Sequence, residues 1–238
     1  VDGPANPAEM HALMRASAAS GNYALPRLEG SIHRTVQRGV YHANVTRVSG
    51  VDATEPWAIT AAEIEGRRQV SEYTRFLTEL VPGYRDAFLM ATSTWIGARE
   101  SRRLIGEYVL TRNDVIRARQ FDDAIALCGA PIEDHDGGTG TIWKYVGSGE
   151  AGEPTGLTYG VPYRTLVPVD VDGLLVSGRC LSATHTAHAS ARSIAQCLSF
   201  GQAAGTAAAL AVVNELQVRD VDTDVLRQTL SHDGVILA

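Results

Sequence analysis

Apolar and polar residues follow more than one period along this chain, and each change of period marks an element. Asn6-Pro7-Ala8-Glu9 reads as a helix entry, with proline early and an acid in the first turn. Met10, Leu13 and Met14 then fall on one helical face, and Gly21-Asn22 ends the helix. From Arg27 to Val48 the period falls to two. Ile32, Val36, Val40, Val45 and Val48 punctuate polar residues around Gln37-Arg38-Gly39, the pattern of a β-hairpin with glycine in its turn. Thr60-Ala61-Ala62-Glu63 has the spacing of a capping box, in which the first and last side chains cap each other's amide. Ile64, Val70, Tyr73, Phe76 and Leu80 continue at helical spacing until Val81-Pro82-Gly83 stops them.

Phe88 to Ile96 predicts a buried strand and Leu104 to Leu110 another, and Thr111-Arg112-Asn113-Asp114 caps a short helix. Residues 129–156, rich in Gly, Asp and Glu, predict a long surface loop around a short Trp143-Lys144-Tyr145-Val146 strand. Val161 to Val169 is strand-like with prolines at its edges, Asp172-Gly173 is a turn, and Leu174-Leu175-Val176 is an apolar strand running into Ser177-Gly178-Arg179. A small-residue loop with two histidines follows. After it comes a helix dense in Ala and Gly that begins between Ala191 and Ala195, and residues 217–238 form a small helical tail. Helices and strands mix without a regular βαβ repeat, which fits an α+β layer joined to a fragment of an α/β domain.

Composition narrows the function classes. The 238 residues are 45% hydrophobic and 20% charged, as in ordinary globular domains. The net charge of -6 gives no basic face for nucleic acid. No uninterrupted apolar run spans a bilayer, because Gly201, Gln202, Gly205 and Thr206 break the Ala-rich segment. Cys128, Cys180 and Cys197 form no CxxC pair, so neither a zinc ribbon nor a cysteine-ligated iron–sulfur site is signalled. Free thiols and no visible secretory signal point to the reducing cytosol.

Candidate chemistry clusters in the second half. Ser177-Gly178-Arg179 suits a close backbone approach with a guanidinium for phosphate, or equally a tight turn with a surface arginine. The Ala/Gly helix leaves free N–H groups and a positive dipole end at its start, which suits an anionic ligand or a reduced heteroaromatic ring. Thr184-His185-Thr186-Ala187-His188 places two imidazoles before that helix, for acid–base chemistry, ligand hydrogen bonding or metal binding. Residues 97–103 hold Arg99, Arg102 and Arg103 around Glu100 and Ser101. As a strand this segment puts Arg99 with Ser101 and Arg103 on one face and Glu100 with Arg102 on the other; it is either an oxyanion clamp or a structural network. Tyr159 to Arg164 offers two phenols and an arginine, as a pocket wall or as an exposed edge strand. No P-loop, GxGxxG, GxSxG or HExxH is present.

Four blocks in order carry a family resemblance: IGARESRRLIGEYVLT (Ile96–Thr111), YGVPYRTLVP (Tyr159–Pro168), VDGLLVSGRCLSATHTAHASAR (Val171–Arg192) and LSFGQAAGTAAALA (Leu198–Ala211). Together they resemble the C-terminal half of FAD-dependent oxidoreductases of the two-dinucleotide-binding-domain group, with distant similarity to fumarate-reductase-like and heterodisulfide-reductase-like flavoproteins. The resemblance implies the C-terminal part of a discontinuous, Rossmann-like FAD-binding domain joined to a mixed-sheet substrate domain. Residues 1–158 would be substrate-domain-like, 159–216 the return of the FAD-binding domain, and 217–238 a tail.

It also implies an enzyme that uses FAD and transfers a hydride between flavin and a small organic substrate. Gly178 and Arg179 would lie near the pyrophosphate or ribityl chain, and Arg192, Ser193 and Ile194 near the pyrimidine side of the flavin ring. His185 and Arg99 would be catalytic, and Tyr163, Arg164 and His188 would bind substrate. The segment carrying the dinucleotide loop is expected on a second polypeptide, because the Ala/Gly helix would otherwise expose apolar faces. A non-catalytic subunit or fragment that has lost flavin binding is the alternative, and a metal-dependent hydrolase using His185 and His188 is a third reading.

Overall fold

The computed structural model describes residues 6–134, 142–148 and 153–237. Two compact units divide the chain: Val1–Ala98 with His135–Gly140, and Arg99–Asp134 with Thr141–Ala238.

In the first unit, α1 (Pro7–Ala19) starts as its sequence predicts, with the Asn6 side chain accepting from the amides of Ala8 and Glu9. Met10 and Met14 are buried and Leu13 packs beside them. The hairpin is present as β1 (Ser31–Arg34) and β2 (Tyr41–Asn44), antiparallel, with Gly39 at a φ of 80° in the turn. Helix α2 (Pro56–Leu80) begins one turn before the expected capping box. Pro56 lacks an N–H and is preset for a first helical turn, so it opens the helix itself. Thr60 is then interior, and its hydroxyl donates to the Pro56 carbonyl at 3.0 Å, while Glu63 accepts from the Ile96 amide. Tyr73 and Phe76 of α2 bury against Met10, Met14, Leu25 and Val45. The Tyr73 hydroxyl donates to the Arg27 carbonyl at 2.6 Å and accepts from the Arg27 amide at 2.9 Å, which ties the loop after α1 to α2.

Residues 88–96 do not form the buried strand that their apolar content predicts. Phe88, Met90 and Trp95 are exposed, and no strand pairs with this segment among the described residues. Arg67 of α2 holds it instead, through the Thr92 hydroxyl and the Thr94 carbonyl.

The second unit carries α3 (Arg112–Ile116), β3 (Ala124–Cys128), β4 (Ile132–Asp134), β5 (Ile142–Lys144), β6 (Tyr159–Pro162), α4 (His185–Ala191), α5 (Ile194–Val213) and α6 (Thr223–His232). β3 pairs antiparallel with β6, and β4 with β5; the short strand expected at Trp143 is present as β5, and β4 is a partner for it that the 129–156 loop was not expected to hold. The loop residues 135–141 and 149–152 lie outside the described residues. β3 escapes alternation rules because its residues are buried on both faces. The expected boundary after residue 158 lies inside this unit, where β3 and β6 pair across it.

Three extended segments are knitted together outside the regular strands. Residues 104–110 run between 164–169 and 180–184. Leu104 N donates to Cys180 O at 2.8 Å, Leu110 N to Ser182 O at 3.1 Å and Thr184 N to Leu110 O at 2.8 Å. On the other edge Glu107 N donates to Val167 O at 3.0 Å and Val169 N to Ile105 O at 3.1 Å. Gly106 and Leu110 face inward while Ile105, Glu107 and Val109 face out, so the strand period read from the sequence survives in an irregular ladder. A Cβ on Gly106 would come within 2.8 Å of Ser182 Cβ and 3.1 Å of the Arg164 carbonyl oxygen. Leu174-Leu175-Val176 joins no ladder; Val176 N reaches Leu166 O at 2.9 Å and Leu174 is exposed.

Helix α5 is confirmed in its start, with Ser193 as N-cap. Contrary to the reading of its glycines as interruptions, its 20 residues are long and apolar enough to cross a membrane by length and composition. Phe200, Ala203, Ala207 and Ala211 form its inward stripe, packed with β3 residues and with Leu226 and Leu230 of α6. Ile194, Leu198, Val212 and Val213 are exposed, and Gly201 and Gly205 open onto free space.

The capping box that the structure does not form at Thr60 occurs at α3. Thr111 accepts from the Asp114 amide and the Asp114 carboxylate accepts from the Thr111 amide at 2.8 Å and hydroxyl at 2.7 Å. Tyr108 and Arg119 also donate to it, at 3.0 and 3.1 Å. Burial opposes ionisation of Asp114, but these bonds outweigh it and hold the carboxyl below its ordinary value. Its stabilisation is therefore present above the unfolded value near 4 and is lost as pH falls through the lower folded value. Asp114→Ala should lower stability by about 2 kcal/mol at pH 7 in urea unfolding, with the gap from wild type closing below about pH 4. Gly106→Ala, which forces 104–110 away from Ser182, should lower stability by about 1–3 kcal/mol in the same measurement.

Candidate functional site

The knitted segments decide where the candidate residues meet. Segment 97–103 enters residues 104–110, and segment 177–184 leads into α4, so their hydrogen-bonded pairing lays Glu100 against His185. The 97–103 segment bends at Arg99 and Ser101 instead of running as a strand, so the alternating faces expected for it do not occur. Glu100 bonds Arg103, three residues on, with Nε to Oε1 at 2.9 Å. The other oxygen, Oε2, lies 2.6 Å from His185 Nδ1. Arg103 also donates to the Ala183 carbonyl.

The two-histidine stretch is helix α4, not a loop, with the Thr184 hydroxyl accepting from the Ala187 amide at its start. One helical turn separates His185, exposed, from His188, fully buried. His188 Nε2 is 2.6 Å from the Arg179 carbonyl oxygen, so that nitrogen carries the proton and donates. His188 Nδ1 is buried without a hydrogen-bond partner among the described residues, 3.9 Å from Glu100 Oε2. Burial pushes the His188 pKa down, against the opposing pull of the Arg179 carbonyl and Glu100, which keeps the ring neutral near pH 7.

The other expected residues fall into two groups. Gly178 has a φ of 71° at the start of a 3-10 turn, Gly178–Cys180, a conformation that glycine adopts without steric cost. Arg179 donates to the Ser101 hydroxyl at 2.9 Å, joining this turn to the 97–103 segment. Arg99 pairs with Glu133 of β4 at 3.2 Å, and Arg192 donates to the Glu133 backbone carbonyl at 3.4 Å. Ser193 and Ile194 open α5. The Ser193 hydroxyl turns back to the Ser190 carbonyl and caps no amide of the helix. In the first turn of α5, Gln196 Oε1 is shielded from solvent with no hydrogen-bond partner among the described residues.

Tyr163 and Arg164 stand apart from this group. The Tyr163 ring is in the core, 2% exposed, and its hydroxyl donates to the Val218 carbonyl at 2.6 Å. Nothing of it is left to line a substrate pocket, because both the ring and the hydroxyl are used. Arg164 is bound to Asp123 at 2.9 and 3.2 Å. Tyr159 is also buried and bonds Ser190 at 2.8 Å, so the segment is not an edge with exposed aromatics. His188 has no solvent-facing surface, which suits a supporting role beneath His185.

Glu100, Glu133 and Gln196 are the polar groups that the sequence did not assign. Glu100 carried a signal, as the one acid amid three arginines. Glu133 and Gln196 carried none, because their importance comes from contacts made across the fold. Two of the thiols are quiet: burial raises Cys128 to about 12 and also raises Cys197. Among the described residues no group of three or more His, Cys, Asp or Glu side chains is placed to hold a metal ion.

The comparisons with known proteins reach the level of family. A family model described as FAD dependent oxidoreductase matches residues 2–230. No curated protein and no solved structure matches the chain. The family match is longer than the stretch covered by the four sequence blocks, and it takes in residues of both compact units. The chain belongs to the FAD-dependent oxidoreductase family, flavin-linked redox enzymes whose cofactor is FAD.

Proposed function

We propose that this chain supplies the ring-facing and substrate-facing part of an FAD enzyme that transfers a hydride between flavin and a small organic substrate. The observation that carries the reading is the start of α5. Its first-turn amides have no side-chain cap, and beside them Gln196 Oε1 is a shielded acceptor without a donor among the described residues. Uncapped N–H groups suit the carbonyl oxygens of a flavin pyrimidine ring, and an orphaned acceptor suits the ring N–H between them. The residues present therefore fit the group. Ser193, Ile194 and Gln196 would hold it by backbone and side chain, with Arg192 adding positive charge to the helix end. Gly178 and Arg179 would meet its phosphate-bearing side. When bound, FAD supplies a two-electron acceptor for a hydride.

The protein's own residues do the rest. The dipole of α5 and the Arg192 guanidinium stabilise negative charge at the helix start, an effect of about 0.3–2 kcal/mol for a terminus of this kind. His185 is exposed and would hold or release a proton at its ring. Arg99, tied to Glu133, orients an anionic or hydroxylated substrate.

In this reading the residues from 159 onward are the return of a discontinuous, Rossmann-like FAD-binding domain of fumarate-reductase-like ancestry, and those before it belong to the substrate side. Residues 1–238 contain no glycine-rich dinucleotide loop. The AMP half of the cofactor is therefore held by a segment outside them, most simply on a second polypeptide in the cytosol. The exposed Ile194, Leu198, Val212 and Val213 of α5 suit such a neighbour.

Denaturing mass spectrometry of the native particle should release FAD together with a polypeptide segment carrying that loop; release of neither would remove the proposal. In the flavin-loaded protein, Arg192→Ala should weaken flavin binding about tenfold, equivalent to about 1.4 kcal/mol. His185→Ala should lower kcat by about 10²–10⁴-fold, as for loss of a general acid or base. Wild-type flavin affinity in the first variant and wild-type turnover in the second would remove the corresponding assignments.

A further inference from the structure

We propose that residues 88–93 are an open strand edge that takes an extended strand of a second polypeptide, the one assigned the dinucleotide loop above. The inference rests on that reading of a completing polypeptide and names one place where it attaches.

Residues 87–93 run without a turn or a bend, between a turn at Arg85-Asp86 and a bend at Thr94-Trp95. That is an ordinary strand length. Among the described residues, the main-chain N–H and C=O groups of residues 88–93 make no hydrogen bond. Helix α2 holds the segment without using them. Arg67 donates to the Thr92 hydroxyl at 3.4 Å and to the Thr94 carbonyl at 3.3 Å, and Glu63 accepts from the Ile96 amide. The segment is thus fixed at its far end while its main chain stays open. Its side chains are open as well. All of residues 88–95 are exposed, Phe88 at 78% and Trp95 at 75%. In an extended chain Phe88 and Met90 point to one side and Leu89 and Ala91 to the other, so apolar groups flank the main chain on both faces. Trp57 and Ile64 of α2, in the same unit, are exposed too. Exposed apolar side chains in such number mark an interaction surface.

The open main chain says what kind of partner fits. A row of free N–H and C=O groups is matched by another row at the same spacing, which an extended polypeptide carries. A helix uses its own main-chain groups internally and would leave this row unmet. The flanking apolar side chains supply the gain when water leaves. A second copy of this chain also has a strand to offer, but it has the same sequence and so brings no dinucleotide loop. A pair of copies would close the edge and still leave the AMP half of FAD unheld. A polypeptide that carries the loop meets both needs. The exposed face of α5, in the other unit, gives it a second attachment, and two attachments to one chain bind far more tightly than either alone.

The test is hydrogen exchange of the native particle read by mass spectrometry, with a photo-crosslinking residue placed at Ser93 in a parallel sample. Amides 88–93 should exchange at least about tenfold more slowly than in unstructured chain, and the crosslink should join this chain to the polypeptide that carries the loop. Met90→Pro and Ala91→Pro each remove one main-chain N–H. Neighbouring residues of a strand point these groups to opposite edges, so one of the two variants strikes the partner's edge. That variant should recover about tenfold less partner, while its urea unfolding midpoint as an isolated chain stays at the wild-type value. Amides that exchange freely in a particle containing FAD and the loop-bearing polypeptide overturn the strand and leave the reading of the enzyme standing. A crosslink to a second copy or within the chain itself, or full partner recovery in both proline variants, also overturns it. A particle with neither FAD nor a loop-bearing polypeptide overturns the reading of the enzyme, and the strand partner with it.

Discussion

Gly106 has no side chain because Ser182 and the Arg164 carbonyl occupy the space a Cβ needs. That close approach lets residues 104–110 run between two other extended segments and hydrogen-bond on both edges. Everything proposed for the site depends on it. The segment that carries Arg99 and Glu100 and the segment that carries Gly178 and Arg179 reach each other only because their continuations are laced together behind them. A glycine read in isolation says little; here it sets how near two stretches of backbone stand, and through them how near a carboxylate stands to an imidazole.

Charge in this site is organised through shared anions. Glu100 binds Arg103 and His185, and Glu133 meets Arg99 through its carboxylate and Arg192 through its backbone carbonyl. Bound in this way, each partner side chain has a defined position, and Arg99 and His185 are both substantially exposed. Contacts of this kind contribute little to stability in water. Their effect is to reduce the number of orientations available to the groups proposed to meet a ligand.

Local rules read well from the sequence and longer ones did not. The Asn6 cap, the hairpin turn at Gly39, the Thr111–Asp114 cap and the start of α5 at Ser193 all depend on residues within a few positions of each other, and each is found where the pattern puts it. The capping box at Thr60 fails for a local reason, because Pro56 opens the helix first; the other failures share a cause. Phe88 to Ile96 has strand composition, but a strand needs a partner, and Arg67 holds the segment in another way. Tyr163 has the look of a pocket wall, yet Val218, more than fifty residues on, takes its hydroxyl. The histidines of α4 were visible as chemistry, but which faces solvent and which is buried depended on the fold. Glu100 was visible only as part of a charged run, because its partner is 85 positions away.

That last separation bears on how the molecule is made. A contact closing so long a stretch of chain forms only after the intervening elements have collapsed, since the entropy of closing it must be met before the bond is gained. The Glu100–His185 bond is therefore a late event in folding, and it exists only in chains whose second unit has been completed. A newly synthesised or partly unfolded chain holds an arginine-rich segment and a pair of histidines, but not the arrangement that would make them act together. The arrangement proposed for the site is thereby withheld until the surrounding structure is finished.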